Sequence, residues 1–298
     1  MGRKGITLFS WVIPKSIRKR KKASNAKDII LKYYAGLPKS SLNEEQIEAL
    51  NYLKNNNLCT FPYSFQTNYS PDTIAVFQDK SNGLKYVICD GKRLYFEKKS
   101  STRGIKRYFN GLAIEQDIMS PHRYLTNNFD LKNEDILVDV GAAEGILALS
   151  VIEKVKKVYL FETDENWIEA LKATFSPWKD KVVIINKFVS DRNDADNISL
   201  DNFFQDKEIF NFLKIDAEGS EDKILHGCEK LLSVKHPLKI ALCCYHRPVD
   251  DKIFSELLES KGFSISFSKG YMIYNDPVYF SPPYLRRGIL RATSPAIS

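Results

Sequence analysis

The stretch Ile-Leu-Val-Asp-Val-Gly-Ala-Ala-Glu-Gly, residues 136–145, decides the fold of this chain. An apolar strand that carries Asp139 runs directly into a turn of small residues, a pattern typical of a nucleotide-binding βαβ unit. The dinucleotide fingerprint GxGxxG has its second glycine where this chain has Ala143. A carboxylate at Asp139 would repel phosphates and attract a sulfonium or ammonium group. The stretch therefore favours S-adenosylmethionine over a dinucleotide as cofactor.

A second acidic residue, Glu162, ends the next apolar run, residues 158–161. It lies 21 residues beyond Gly141, the spacing at which an acidic side chain reaches ribose hydroxyls in a βαβ unit. A small-residue turn and a strand-ending glutamate are each common in proteins without a cofactor. Their combination in this order favours a nucleotide-like cofactor site over a purely structural turn.

From residue 136 onward, apolar strand segments alternate with amphipathic helix segments. This alternation predicts an α/β fold, a mostly parallel, Rossmann-like sheet with helices on both faces. Residues 263–267 and 271–274, separated by a Lys269-Gly270 turn, predict a C-terminal antiparallel hairpin, and the whole is the architecture of class I methyltransferases. The predicted parallel strands are residues 136–140, 158–162, 182–185, 210–215 and 238–244, and the clearest helices are residues 146–155 and 250–260. Ligands of such sheets bind at the carboxyl ends of the strands, the edge that carries Gly141, Glu162, Asp216 and His246.

Two regions precede this domain. Residues 1–22 are a basic tail and residues 23–115 a small N-terminal α+β region, which leaves residues 116–298 as the methyltransferase domain. Within the α+β region, Ser41 and Glu44 form a plausible capping box for a helix to about residue 53. Asp90-Gly91 predicts a two-residue hairpin turn. The other predicted elements are strands at residues 73–77, 86–89 and 94–96 and a helix at residues 102–117.

Composition indicates a soluble enzyme in a reducing compartment, with a cytoplasmic location as the expectation. The chain has 298 residues and 43% hydrophobic content, enough for a sizeable core. The longest early apolar run, residues 6–14, is too short to span a bilayer. The cysteines are odd in number and contain no CxxC pair, which argues against a zinc cluster. They are Cys59, Cys89, Cys228, Cys243 and Cys244.

The net charge of +7 is concentrated in the tail. Residues 1–22 contain eight basic and no acidic side chains, so the remainder of the chain has a net charge of −1. With apolar residues such as Trp11 nearby, the tail could contact an anionic membrane surface at the inner face of the membrane. A solvated disordered tail is equally compatible, and a nucleic-acid-binding arm is less favoured.

Residues 212–221, Phe-Leu-Lys-Ile-Asp-Ala-Glu-Gly-Ser-Glu, carry a resemblance to a known family. Together with VDVGAAEG at residues 138–145 and LFE at residues 160–162, this string resembles the FkbM family of S-adenosylmethionine-dependent methyltransferases, over roughly residues 115–268. The resemblance implies methyl transfer to a hydroxyl of a sugar, a polysaccharide precursor or a small metabolite. It also implies that Glu162 binds the ribose diol and that Asp191 lies near the adenine. The cofactor residues implied by position are Asp139, Gly141, Ala142, Gly145, Glu162 and Asp191.

Methyl transfer from a sulfonium needs little acid-base chemistry, because alignment supplies about 7 to 11 kcal/mol of the acceleration. An unactivated hydroxyl must still lose its proton, and the predicted catalytic residues are Asp216, Glu218 and His246. Structural alternatives are helix N-terminal stabilisation by the two carboxylates and a solvent-facing loop position for His246. Glu221 fits either role, and His122 beside Pro121 is a weaker candidate. These groups could instead hold a divalent metal, but direct base catalysis is favoured, since two carboxylates alone bind such ions weakly; no metal ligand is predicted.

Two other enzyme classes share this kind of sheet. A nicotinamide-dependent oxidoreductase is disfavoured by Ala143 and by Asp139 within the strand. A nucleic-acid methyltransferase is disfavoured because the near-neutral body lacks a basic groove for phosphates. The expected partner is a small-molecule or glycan acceptor, and no nucleic acid is expected.

Overall fold

The computed structural model describes residues 15–233 and 235–295, with residues 15–24 described only as helical backbone. The strands are β1 (Phe77–Gln78), β2 (Lys85–Cys89), β3 (Lys92–Phe96), β4 (Ile136–Val140), β5 (Lys157–Phe161), β6 (Val182–Ile185), β7 (Phe188–Val189), β8 (Asn197–Ile198), β9 (Phe212–Ile215), β10 (Lys239–Cys243), β11 (Ser264–Phe267) and β12 (Ile289–Thr293). The helices are α1 (Lys15–Ala35), α2 (Glu44–Asn55), α3 (Thr102–Glu115), α4 (Ile146–Val151), α5 (Glu165–Thr174), α6 (Leu200–Phe203), α7 (Glu221–His226), α8 (Glu229–Ser233) and α9 (Asp250–Ser260).

A seven-stranded sheet in the order β11-β12-β10-β9-β4-β5-β6 organises the domain. Strands β6, β5, β4, β9 and β10 are parallel, whereas β12 pairs antiparallel with both β10 and β11. Every residue of β4 is buried, as expected for a central strand covered on both faces. The prediction of a class I methyltransferase sheet, mostly parallel with an antiparallel C-terminal pair, is confirmed.

The prediction that residues 271–274 form the second strand of the C-terminal hairpin is wrong. β11 pairs with β12, whereas residues 271–274 form only an isolated bridge between Met272 and Arg286. Residues 271–273 are apolar because they are buried against the N-terminal region. There the backbone amide of Ile273 donates to the carbonyl of Thr60. Residues 268–288 therefore form a long connection between β11 and β12.

The N-terminal region contains the three-stranded antiparallel sheet β1-β2-β3. Asp90 and Gly91 join β2 to β3 with φ of 48° and 77°, the conformation that a tight hairpin turn requires; the predicted hairpin is confirmed. The predicted strand at residues 73–77 is wrong, because Pro71–Thr73 is a 3₁₀ helix and pairing begins at Phe77. The predicted cap is also wrong: Asn43 forms the capping box with Gln46.

The N-terminal region packs against the methyltransferase domain. Leu53 and Phe96 belong to the same buried apolar cluster as Leu137 and Phe175. Residues 15–22 of the basic tail form the first turns of α1, and residues 1–14 lie outside the described residues. Across the part of the chain that the structure describes, no helix is both long enough and apolar enough to cross a bilayer.

Candidate active site

A cleft of about 810 Å³ lies at the carboxyl ends of the central strands. Gly141, Glu162, Asp216 and His246 all line it. The sequence predicted these four residues at this edge, because the carboxyl ends of parallel strands meet there. The cleft is the candidate active site.

The turn after β4 is built on Gly141. Its φ is +72°, and a Cβ added there would lie 1.9 Å from the carbonyl oxygen of Asp216. Only glycine fits this approach of two strand ends. The Gly141 and Ala142 amides both donate to the carbonyl of Phe161, each at 3.1 Å. The backbone at the centre of the cleft is therefore fixed and free of side chain.

Glu162 is held in place by backbone amides. Its Oε2 accepts a hydrogen bond from the amide of Ala143 at 2.9 Å. Its Oε1 accepts from the amides of Thr163 and Asp164 at 2.7 and 2.8 Å. The carboxylate thus links the turns after β4 and β5 while it lines the cleft. Glu162 is therefore a fixed carboxylate in the cleft wall, and its binding of a ribose diol stays a prediction.

Asp139 lies behind the cleft and not in its wall. Its side chain is 1% exposed and is 2.9 Å from the ammonium of Lys214. Burial raises the pKa of Asp139, with Lys214 opposing the shift. Burial alone would lower the pKa of Lys214, but the charges of Asp139 and Asp216 outweigh it and raise that pKa. The charge of Asp139 is therefore balanced inside the protein. The lysine within the apolar strand Phe-Leu-Lys-Ile was the sequence signal for this pair.

Three other predicted cofactor residues differ in position. Ala142 is buried and lines a small cavity of about 90 Å³ behind the turn. Gly145 begins α4, and a Cβ there would approach Leu171 and Phe175 within 3 Å, so it serves packing. Asp191 is exposed and lines a separate pocket, although its neighbours on either side in sequence line the cleft. Ala142, Gly145 and Asp191 are not among the residues that line the cleft.

Asp216 is anchored by hydroxyl groups at the centre of the cleft. It accepts hydrogen bonds from Tyr124 at 2.9 Å and from Tyr245 at 3.3 Å. Burial raises its pKa, but Lys214 and two histidines, His122 and His246, outweigh this and lower the pKa to about 2. Asp216 is therefore an ionised group and a weak base.

The buried pair Glu221 and His246 adjoins Asp216. Glu221 is fully buried, and its Oε1 accepts from the amides of Ala217 and Gly219 at 2.9 and 3.2 Å. The same oxygen is 3.0 Å from Nδ1 of His246. Nε2 of His246 is 3.6 Å from Asp216. Burial lowers the pKa of His246, but contact with Glu221 outweighs burial, and the pKa is raised.

The three predicted catalytic residues have different environments and suit different roles. His246 has the environment of a base, because its Nδ1 is 3.0 Å from the buried Glu221 carboxylate and the residue lines the cleft. Asp216 is better suited to stabilise positive charge. Glu218 is exposed, with a φ of 48°, and lines the rim. The side chains of Asp216, Glu221 and His246 could geometrically surround an ion, but the facing atoms of Glu221 and His246 already pair with each other.

A second pocket of about 350 Å³ adjoins the cleft. Four residues line both: Glu115, His122, Tyr245 and Tyr274. Burial lowers the pKa of His122 to about 4. Burial also raises the pKa of Glu115 to about 8, helped by the charges of Glu144 and Asp216. Sequence reasoning missed Glu115 because nothing at the end of a surface helix signals that it faces a cleft.

Comparisons with known proteins agree with this fold. The family model described as the methyltransferase FkbM domain matches residues 86–265, more than half of the chain. A comparison with curated proteins finds no significant match.

Three solved structures illustrate the similarity. The chain is similar to methyltransferase FkbM from Methylobacillus flagellatus KT at 17% identity and a TM-score of 0.44, over 64% of this chain and 53% of that one. It thus spans about half the length of that protein. It is similar to a precorrin-6Y C5,15-methyltransferase from Geobacter metallireducens GS-15 at 12% identity and a TM-score of 0.40, over 67% and 94% of the two chains. It is also similar to an rRNA methylase from Streptococcus thermophilus at 17% identity and a TM-score of 0.37, over 56% and 90%.

Proposed function

The chain belongs to the FkbM methyltransferase family, and we propose that it is an S-adenosylmethionine-dependent O-methyltransferase that acts on a hydroxyl of a sugar, a polysaccharide precursor or a small metabolite. The observation that carries the proposal is the pair Glu221 and His246, which adjoins Asp216 at the cleft. Methylation of a hydroxyl requires a base at the acceptor, and His246 is placed to be one.

The residues present fit the proposed cofactor. Gly141 lines the cleft without a side chain and lets the backbone of Asp216 approach closely, and the Glu162 carboxylate lines the cleft on the β5 side. When bound, the cofactor supplies a methyl group on a positively charged sulfur with a good leaving group. Ser190 and Arg192 line the far part of the cleft, where an adenine would extend beyond the ribose.

His246 performs the proton transfer in this proposal. In its neutral form, the imidazole accepts the proton of the acceptor hydroxyl as the oxygen attacks the methyl carbon. Glu221 then stabilises the imidazolium through Nδ1, and the ionised Asp216 stabilises it from the other side. This route needs no divalent metal, in keeping with the preference for direct base catalysis.

The test of cofactor use is calorimetric titration with S-adenosylhomocysteine. Wild type should bind it, and Glu162→Ala should weaken binding by about ten- to a hundredfold, because loss of a charged acceptor costs about 1.5 to 3 kcal/mol. Glu169→Ala, an exposed change on α5, is the matched control and should bind as wild type does. NAD should not compete.

The outcomes separate the alternatives. Unchanged affinity in a folded Glu162→Ala protein would remove Glu162 from the site. Binding of NAD in place of S-adenosylhomocysteine would favour an oxidoreductase. Mass spectrometry of surface glycans from cells with and without the protein would then identify a methylated sugar, and a methylated nucleic acid instead would overturn the proposed acceptor class.

A further inference from the structure

The carboxyl of Glu115 lies where the cleft meets the second pocket. It lines both, together with His122, Tyr245 and Tyr274, and it also lines the small cavity behind the Gly141 turn. In the proposed function, the donor methyl group must lie beside an acceptor hydroxyl that His246 can reach, and His246 lines the cleft. Glu115 shares the wall of this cleft with His246 and Asp216, so it adjoins the place of transfer, provided that the proposed function holds.

The strand order predicts that the sulfonium end of the cofactor extends toward Glu115. β4 lies between β5, which leads into Glu162, and β9, which leads into Asp216. If Glu162 holds the ribose, the adenine extends on the β5 side, and the rest of the cofactor extends past Gly141 toward β9. The sulfonium would then extend toward Asp216 and Glu115, since both line the cleft and both also line the small cavity behind Gly141.

Glu115 stands in a negatively charged environment. Its side chain makes no hydrogen bond or ion pair with any other residue in the described ranges, in contrast to its neighbours. Glu144, from the turn before α4, accepts a hydrogen bond from Tyr108 at 2.7 Å, and Asp216, after β9, accepts from Tyr124 and Tyr245. These two carboxylates disfavour a third negative charge.

The nearby cationic side chain already pairs with another carboxylate and is not free to pair with Glu115. Lys214 of β9 acts on it, but its ammonium is 2.9 Å from Asp139. His122 shares the pocket wall and is neutral, because burial lowers its pKa to about 4. Tyr274 and Asp276, which line the second pocket, carry no positive charge. In the empty cleft a neutral carboxyl is the favoured form of Glu115.

We propose that Glu115 is a cofactor-binding residue whose carboxyl is protonated in the empty cleft, releases its proton to solvent when S-adenosylmethionine binds, and is protonated again once methyl transfer has removed the sulfonium charge. Ionisation on binding places the Glu115 carboxylate, in addition to that of Asp216, beside the sulfonium. After transfer, the sulfur is a neutral thioether, and repulsion from Glu144 and Asp216 returns a proton from solvent to Glu115. The proton of the acceptor hydroxyl goes separately to His246.

This exchange would make the cleft distinguish S-adenosylmethionine from its product, S-adenosylhomocysteine. S-adenosylmethionine and S-adenosylhomocysteine carry the same ammonium and carboxylate and differ in charge only at sulfur. The preference for the methylated form should therefore rise with pH for as long as Glu115 is protonated in the empty protein. Linkage of one proton corresponds to about a tenfold change in relative affinity per pH unit.

The test is calorimetric titration of both ligands, without acceptor, between pH 6 and pH 7 in buffers of different ionisation enthalpy. Wild type should release about one more proton with S-adenosylmethionine than with S-adenosylhomocysteine, and the ratio of the two affinities should rise about tenfold over this unit. Glu115→Gln, which is close in shape, should show neither effect. Glu153→Gln, an exposed change on the surface, should behave as wild type does.

The outcomes distinguish this proposal from the proposed function. If both ligands bind and wild type releases equal numbers of protons with each, Glu115 does not exchange a proton with the sulfonium, while cofactor use stands. The same conclusion follows if Glu115→Gln retains the wild-type difference. If neither ligand binds to folded wild type, both proposals are overturned.

Discussion

The two halves of the cleft are built in different ways. The half around Gly141 and Glu162, which we propose holds the methyl donor and call the donor half, is fixed by backbone amides that come from neighbouring turns. The half around Asp216 and His246, which we propose receives the acceptor and call the acceptor half, is held by ionisable side chains from distant segments. Backbone hydrogen bonds fix a shape that depends little on pH. A network of buried charges fixes proton positions, so substitutions there should change rate and pH dependence more than cofactor affinity.

The largest expected effect is on turnover in the acceptor half. His246→Ala should lower the maximal rate of methyl transfer by about 10²- to 10⁴-fold, the usual contribution of a general base. Affinity for S-adenosylhomocysteine should remain near that of wild type, because the donor half is untouched. The rate is measured with the acceptor identified from glycans, and the affinity by calorimetry.

His226→Ala is the matched control for this experiment. His226 is exposed at the end of α7, and its Nδ1 contacts the carbonyl of Asp222. Its loss should leave both quantities unchanged. Near-normal turnover of a folded His246→Ala protein would remove His246 as the base and break the contrast between the two halves.

A smaller effect is expected on the pKa of His246 when its buried partner is neutralised. Glu221→Gln should lower this pKa, because the charge that outweighs burial is lost. The base acts in its neutral form, so the rate should rise with pH through this pKa, and the rise should move to lower pH in the variant. NMR titration of the imidazole measures the pKa without an acceptor.

Asp222→Asn provides the comparison on the same helix. Asp222 pairs with Arg247 at 3.0 Å and is not among the groups that shift His246. This change should leave the titration of His246 as in wild type. An unchanged pKa in Glu221→Gln would show that Glu221 does not control the protonation of the base.

The same contrast explains what could be predicted from sequence. Gly141 and Glu162 belong to one βαβ unit, so their spacing carried the information. Glu115 could not be found, because the carboxylates that affect it, Glu144 and Asp216, meet it only in the folded chain. His246 was placed at the correct sheet edge, but its contact with Glu221 depends on the start of α7.

Strand prediction failed for a related reason. Residues 271–274 have the apolar character of a strand, yet that character serves packing against the N-terminal region. β12 pairs with β10 and β11 instead, after a long connection. Burial by a distant segment and burial in a sheet produce the same local pattern, and periodicity alone does not separate them.

The smallest expected effect on the cleft comes from the basic tail, which we propose contacts anionic membrane. Deletion of residues 1–22 should leave the affinity for S-adenosylhomocysteine and the rate with a soluble acceptor unchanged, because the buried residues Ala26, Ile30 and Tyr34 of α1 are retained. Binding to anionic vesicles should fall, since each near-surface Lys or Arg contributes about 1 kcal/mol. Added salt should reduce the binding of wild type.

Deletion of residues 1–14 alone separates charge from apolar contact in that experiment. It removes the apolar residues around Trp11 but retains six of the eight basic side chains. If vesicle binding is retained and remains sensitive to salt, the basic side chains of residues 15–22 make the contact. If vesicle binding is lost, the apolar residues of the deleted segment make it. Equal vesicle binding by full-length protein and the protein lacking residues 1–22 would contradict the membrane proposal. A fall in cofactor affinity would show that the donor half depends on more than its own backbone.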